Sequence, residues 1–199
     1  MYKKLPHISN YGYYQFVTFR TEDSIDEYLT KMINTTIENS KKQYKIDRYL
    51  DNSINGRYLN NTILNISKEY IIQQDKKLFD LVCFSIMPNH IHILFKETIK
   101  LNEAIRKLKG GLSFIINKSL NKKGRFWAKD YYDKSIRDKK HFDIVYRYIK
   151  NNAIKVNLGD SKIRFYSVYE LDEAKAIASE EKCIGCEALA SLLYPKSSN

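Results

Sequence analysis

The segment Met87-Pro88-Asn89-His90-Ile91-His92-Ile93-Leu94-Phe95 decides how this chain folds and where its chemistry sits. It is a hydrophobic run broken by two histidines with one isoleucine between them. Side chains alternate faces along a β-strand, so His90 and His92 point one way while Ile91 and Ile93 point into a core. Residues 78–87 have the same β-forming character, and Pro88-Asn89 reads as the turn or bulge between two paired strands. Two imidazoles side by side on one strand face make half of a site for a divalent metal.

Upstream, residues 13–20 (YYQFVTFR) alternate and predict a first strand. Ser24 as an N-cap with Glu27 three residues on predicts a helix from about residue 25 into the early forties. Residues 46–61 are polar, rich in Asn and Asp, and read as a loop or short helix, with helical character returning over 63–74. Downstream, Leu101, Ile105, Leu108, Leu112, Ile115 and Ile116 mark a helix over 101–120. Gly110-Gly111 interrupts it at a cost in helicity, which implies a packing or functional reason. A basic turn at 121–125, an aromatic irregular stretch at 126–133 and a short strand at 135–137 follow. A last long helix opens at Asp138 or Lys139 and runs to about Lys155, where Asn157-Leu158-Gly159 stops it. The expected fold is α+β, a central antiparallel sheet flanked by helices. It divides into a domain over 1–170 and a helical C-terminal tail over 171–199.

The chain has 199 residues, enough for one domain with a real core. Its 34 Lys and Arg against 23 Asp and Glu leave a net charge of +11, which favours a polyanionic partner, most often nucleic acid. The 16 tyrosines add stacking groups of the kind that suit single strands. No apolar run approaches the roughly 20 residues of a membrane span, and no hydrophobic leader follows Met1-Tyr2-Lys3-Lys4. Three cysteines, Cys83, Cys183 and Cys186, are an odd count that suggests a reducing, cytoplasmic setting. Cys183 and Cys186 have metal-ligand spacing but no second pair to complete a zinc site.

In the helix after Asp138, Tyr148 and Asn152 stand one turn apart on the same face. If that face meets His90 and His92, the site gathers two imidazoles, an amide oxygen and a phenol. The first three form an open N/O site suited to Mg²⁺ or Mn²⁺, and the phenol is a nucleophile. Tyr146 is the rival tyrosine, but it lies about 200° around the helix from Tyr148, so only one of them faces a metal.

With these pieces in place the sequence resembles the HUH-type tyrosine transposases of the IS200/IS605 kind, most closely their REP-associated branch. The matching residues are Phe16-Val17-Thr18-Phe19-Arg20, Met87-Pro88-Asn89-His90-Ile91-His92 and Gly124-Arg125-Phe126-Trp127. Tyr132-Asp133, Ile136-Arg137, Tyr148-Ile149-Lys150-Asn151-Asn152 and Tyr166-Ser167-Val168-Tyr169 continue the match in the same order, over about residues 11–170. The resemblance implies a ferredoxin- or RRM-like HUH fold, His90, His92 and Asn152 as metal ligands, and Tyr148 as catalytic nucleophile. It implies a metal-dependent transposase and nickase that forms a 5′-phosphotyrosine on single-stranded DNA ends bearing imperfect hairpins, then rejoins strands by transesterification. Ala153 departs from the proline common after the Asn, and the stretch over 41–75 is longer than the family pattern. A homodimer in which two chains share active sites stays open. So does the base that takes the phenol proton, with Lys150 and a metal-bound water both eligible.

Arg106, Lys107, Lys109, Lys118, Lys122, Lys123 and Arg125 are placed to grip phosphates, and Trp127, Tyr131 and Tyr132 to stack on unpaired bases. The competing readings are plain ones. The histidines are then ordinary strand residues, Asn152 a helix cap, the lysines a solvated face, and the whole a non-catalytic nucleic-acid-binding module with an RNA-recognition-like sheet.

Overall fold

The computed structural model describes residues 9, 11–35, 39–170 and 172–173, so the expected C-terminal helical tail and its Cys183–Cys186 pair lie outside the described residues. Five antiparallel strands form one sheet: β1 (Tyr14–Arg20), β2 (Phe79–Ile86), β3 (His90–Glu97), β4 (Tyr132–Ser135) and β5 (Phe165–Ser167), in spatial order β4-β1-β3-β2-β5. The helices are α1 (Glu27–Ile33), α2 (Asn39–Asn52), α3 (Asn61–Gln73), α4 (Leu101–Leu120), α5 (Lys139–Lys155) and the short α6 (Ser161–Arg164). This is the α+β architecture that the strand alternation and helix periodicity predict.

Both faces of the sheet are covered. Val17, Phe19, Ile91, Ile93 and Phe95 pack with Leu64 and Ile71 of α3 and with Ile105, Leu108 and Leu112 of α4. Phe16 and Leu94 on the other face pack with Phe142, Val145, Tyr146 and Ile149 of α5. The β1–β3 register sets Arg20 opposite His90, Thr18 opposite His92 and Phe16 opposite Leu94. Period two therefore fixes both histidines on the α5 side. The hairpin closes through Met87 N–H to the His90 carbonyl at 2.9 Å.

Four local expectations need correction. The helix cap is Asp26, whose carboxylate accepts from the Leu29 N–H at 2.8 Å, whereas the Ser24 hydroxyl donates to the Thr21 carbonyl at 2.7 Å and closes a 3₁₀ turn over Glu22–Ser24. The expected single helix is two, α1 and α2. Residues 46–52, read as a loop or short helix, continue α2 because Ile46 and Leu50 bury against Leu29 in a small satellite core. The short strand lies at Tyr132–Ser135, earlier than 135–137, because its pairing with Gln15 to Thr18 of β1 sets its position. The Gly110-Gly111 pair has a packing reason at its second member: a Cβ on Gly111 would overlap the Tyr70 hydroxyl of α3.

Candidate active site

His90 and His92 are fully buried, and their Nε2 atoms stand 3.0 Å apart. The outer nitrogens are held from behind. Asn89 donates its side-chain amide to the carbonyls of Leu50 (2.9 Å) and Asn55 (3.2 Å). Its Oδ1 is thereby turned to His90 Nδ1 at 2.8 Å. An amide oxygen only accepts, so His90 Nδ1 carries the proton and Nε2 presents its lone pair. His92 Nδ1 lies 2.8 Å from the Thr18 hydroxyl, which can donate or accept. At most one proton fits between the facing Nε2 atoms, and Thr18 can adjust when a cation takes its place. Burial, reinforced by the neighbouring His92 and Arg20, holds His90 well below the usual imidazole range. Burial alone takes His92 down to about 3. Both rings are neutral at physiological pH, the state a metal ligand needs.

The sequence reading missed the carboxylate beside them. Asp47 of α2 brings an oxygen to within 4.8 Å of the two histidine nitrogens, forming a buried His-His-Asp group with room for a cation. Its two oxygens accept from Gln43 Nε2 at 2.6 Å and from the Tyr148 hydroxyl at 2.7 Å. Burial, with nearby Asp51 adding to it, pushes the Asp47 carboxyl up to about 7 against the hydrogen bonds that pull it down. One turn on, burial raises Asp51 to about 6, and its Oδ1 lies 3.8 Å from His90 Nε2. The sequence signal was present in Gln43, Asp47 and Asp51, which share one helical face at i, i+4 and i+8.

α5 brings Tyr148 to the same place. Its ring centroid lies 5.2 Å from that of His92 and 6.0 Å from that of Phe16, and the Lys155 ammonium sits 5.5 Å over it. Burial, together with Asp47, keeps the phenol above its ordinary range. Tyr146 turns away into the core under β5, where its hydroxyl donates to the Tyr169 carbonyl at 2.9 Å. Asn152 is 3% exposed and lines the same cavity as Tyr148, Asp47, Asp51 and Lys155. Its amide nitrogen is buried without an acceptor among the described residues. The helix cap is Val156, so capping does not account for Asn152.

The expected DNA contacts divide. Arg106, Lys118 and Lys123 are exposed. Lys107 pairs with Glu103 at 2.8 Å, Arg125 lies 3.5 Å from Glu22, and Lys122 is bound by Asp23 and Tyr58. Lys109 donates to the Ala128 carbonyl at 2.7 Å, and burial lowers it to about 8. Trp127, Tyr131 and Tyr132 are buried, at 2%, 9% and 8% exposure. They are therefore not open stacking platforms: Trp127 and Tyr131 pack into one core cluster and Tyr132 into the other.

Comparison with known proteins places this geometry in a family. The model of the family described as "Transposase IS200 like" matches residues 45–152, more than half of the chain and the whole span from Asp47 through the histidines to Asn152. Among solved structures the chain is similar to a REP-associated tyrosine transposase bound to a REP hairpin, at 15% identity and a TM-score of 0.49, covering 78% of this chain and 74% of that one. It is also similar to a candidate transposase from Deinococcus radiodurans R1, at 14% identity and a TM-score of 0.42, covering 76% of this chain and 97% of that one. No curated protein matches. The chain belongs to the family of IS200-like transposases.

Proposed function

We propose that this transposase is a metal-dependent single-strand DNA nickase and strand transferase with Tyr148 as its nucleophile. One observation carries the reading: the Tyr148 hydroxyl is fixed by Asp47, and Asp47 belongs to the same buried group as the neutral His90–His92 pair.

The donor set we assign is His90 and His92 with oxygens from Asn152 and Asp47. Imidazole and oxygen donors in an open site suit Mg²⁺ or Mn²⁺. When bound, such a cation supplies charge stabilisation at the scissile phosphate. The chain's own residues do the rest. Asp47 accepts the hydrogen bond of the phenol at 2.7 Å and is placed to take its proton. Tyr148 Oη bonds to phosphorus, the 3′-oxygen leaves, and the strand is held as a 5′-phosphotyrosine. An incoming 3′-hydroxyl then attacks that phosphorus, releases Tyr148 and joins the strands. Single-stranded DNA bearing imperfect hairpins is the substrate class we assign, in keeping with the family resemblance and the +11 charge.

Labelled single-stranded DNA incubated with the protein and Mn²⁺ and run on a denaturing gel tests this. Wild type gives a metal-dependent covalent adduct, and Tyr148→Phe gives none while still binding the DNA. An adduct formed by Tyr148→Phe removes Tyr148 from the mechanism. DNA binding by wild type with no adduct under any divalent metal leaves a non-catalytic binding module.

A further inference from the structure

The cavity that holds Tyr148 has a volume of about 430 Å³, with α2 along one side and the end of α5 along the other. Its acidic lining is Asp47 and Asp51, and its cations are Arg48 of α2 and Lys155 of α5. The substrate proposed above brings a phosphodiester anion into this space, beside two carboxyl groups. A carboxylate repels that anion, and a side-chain cation next to the nucleophile would offset the repulsion.

Lys155 stands where such a cation is wanted. Tyr148, Asn152 and Lys155 fall at i, i+4 and i+7 of α5, which puts all three on one face. The Lys155 side chain is exposed, and its ammonium lies 5.5 Å over the Tyr148 ring. Asp51 attracts it across the cavity, but no hydrogen bond or ion pair ties it down among the described residues. Its three N–H donors are therefore open to an incoming acceptor. A cation on an aromatic face near solvent is held weakly, and a charge-assisted hydrogen bond to a phosphate oxygen is stronger. The flexible four-carbon stem allows the move from one to the other. A lysine in the last turn of a helix also offsets the helix dipole, and only a phosphate contact would respond to the charge of the DNA.

We propose that Lys155 is a catalytic residue that grips a non-bridging oxygen of the scissile phosphate. The proposal rests on the nickase reading above and adds a substrate contact to it. Phosphorus must come to about 3–3.5 Å from the Tyr148 oxygen before it is attacked, which brings its outer oxygens within reach of the ammonium. As Tyr148 Oη bonds to phosphorus and the 3′-oxygen leaves, Lys155 keeps its protons and stays on the same oxygen. The contact persists in the 5′-phosphotyrosine and steadies it for the incoming 3′-hydroxyl.

The linkage that wild type cleaves is mapped from its covalent adduct. Labelled single strands are then made with that linkage either native or as a neutral methylphosphonate. Fluorescence anisotropy follows binding with a chelator present, so that no metal contributes and no strand is cut. Lys155→Met keeps the stem and removes the charge, and Lys155→Arg keeps the charge. The expected result is that Lys155→Met weakens the native strand roughly 10-fold more than the methylphosphonate strand, with no such difference for a methylphosphonate at a distant linkage. With Mn²⁺ and saturating DNA, Lys155→Met should form the adduct about 100-fold more slowly, and Lys155→Arg should recover most of that loss. Thermal unfolding reads any helix-end role separately. Lys155→Met weakening both strands equally, or forming the adduct as fast as wild type, overturns the contact and leaves the nickase reading standing. Wild type that binds DNA and forms no adduct removes the nickase reading, and the role of Lys155 with it.

Discussion

Replacing Asp47 by Asn should make the metal-free protein more stable and its metal site weaker. Burial moves this carboxyl from 3.8 to about 7 in the fold. At about 1.36 kcal/mol per pKa unit, ionised Asp47 burdens the native state by up to about 4 kcal/mol. The sign follows from proton counting. Below the unfolded value of 3.8 the group is protonated in both states and costs nothing. As pH rises towards 7 the unfolded chain releases the proton while the fold keeps it, so wild-type stability falls, and above about pH 7 the loss is complete. Asparagine carries no charge and can still accept from Tyr148, but its amide must also accommodate Gln43, so the net gain is about 1–3 kcal/mol near pH 8. Urea unfolding with a chelator present, from about pH 4 to 8, should show two curves that meet at the acid end and diverge upward. Mn²⁺ titration by calorimetry should show affinity lower by at least about 10-fold, since a donor oxygen and a negative charge are gone. A variant less stable than wild type at pH 8, or a stability difference that does not change with pH, would refute the account of Asp47 as a buried, strained carboxylate.

Thr18→Val keeps the strand but removes the hydroxyl 2.8 Å from His92 Nδ1. Mn²⁺ affinity should drop about 10- to 100-fold, and an unchanged calorimetric isotherm would show that His92 needs no such support. Ile149→Ala empties a fully buried position beside Tyr148 on α5. It should cost about 2–5 kcal/mol in urea unfolding, and a loss under 1 kcal/mol would mean that α5 packs loosely. Gly111→Leu drives a side chain into the Tyr70 hydroxyl and should destabilise by about 1–3 kcal/mol, whereas Gly110→Leu should not. Equal melting temperatures for the two variants would contradict the close approach of α3 and α4.

The hairpin and the facing of its histidines were legible because period two leaves no choice once one side must be apolar. Tyr148 and Asn152 were legible together because four residues make about one helical turn. Asp47 was not. Its helix is polar along most of its length, with Ile46 and Leu50 as its buried apolar residues, so the Gln43-Asp47-Asp51 face stood out little against a loop. The register of β4 was also out of reach, since a four-residue strand is placed by its partner β1 and not by its own alternation. The aromatic cluster at 126–132 illustrates the limit of composition. Ring-rich segments suit both stacking on bases and filling a core, and here the core claims the rings.

Asn89 gives the motif before the histidines a consequence beyond ligand orientation. A single carboxamide clasps Leu50 and Asn55 with its nitrogen and steers His90 with its oxygen. The α1–α2 flap rests on a minor apolar cluster of its own, so it can peel back while the sheet stays intact. Peeling would strip Asp47 from the phenol and slacken His90 in one movement. On the proposed nickase reading that opening would gate cleavage, and amide exchange at residues 43–52 should outpace that of β3.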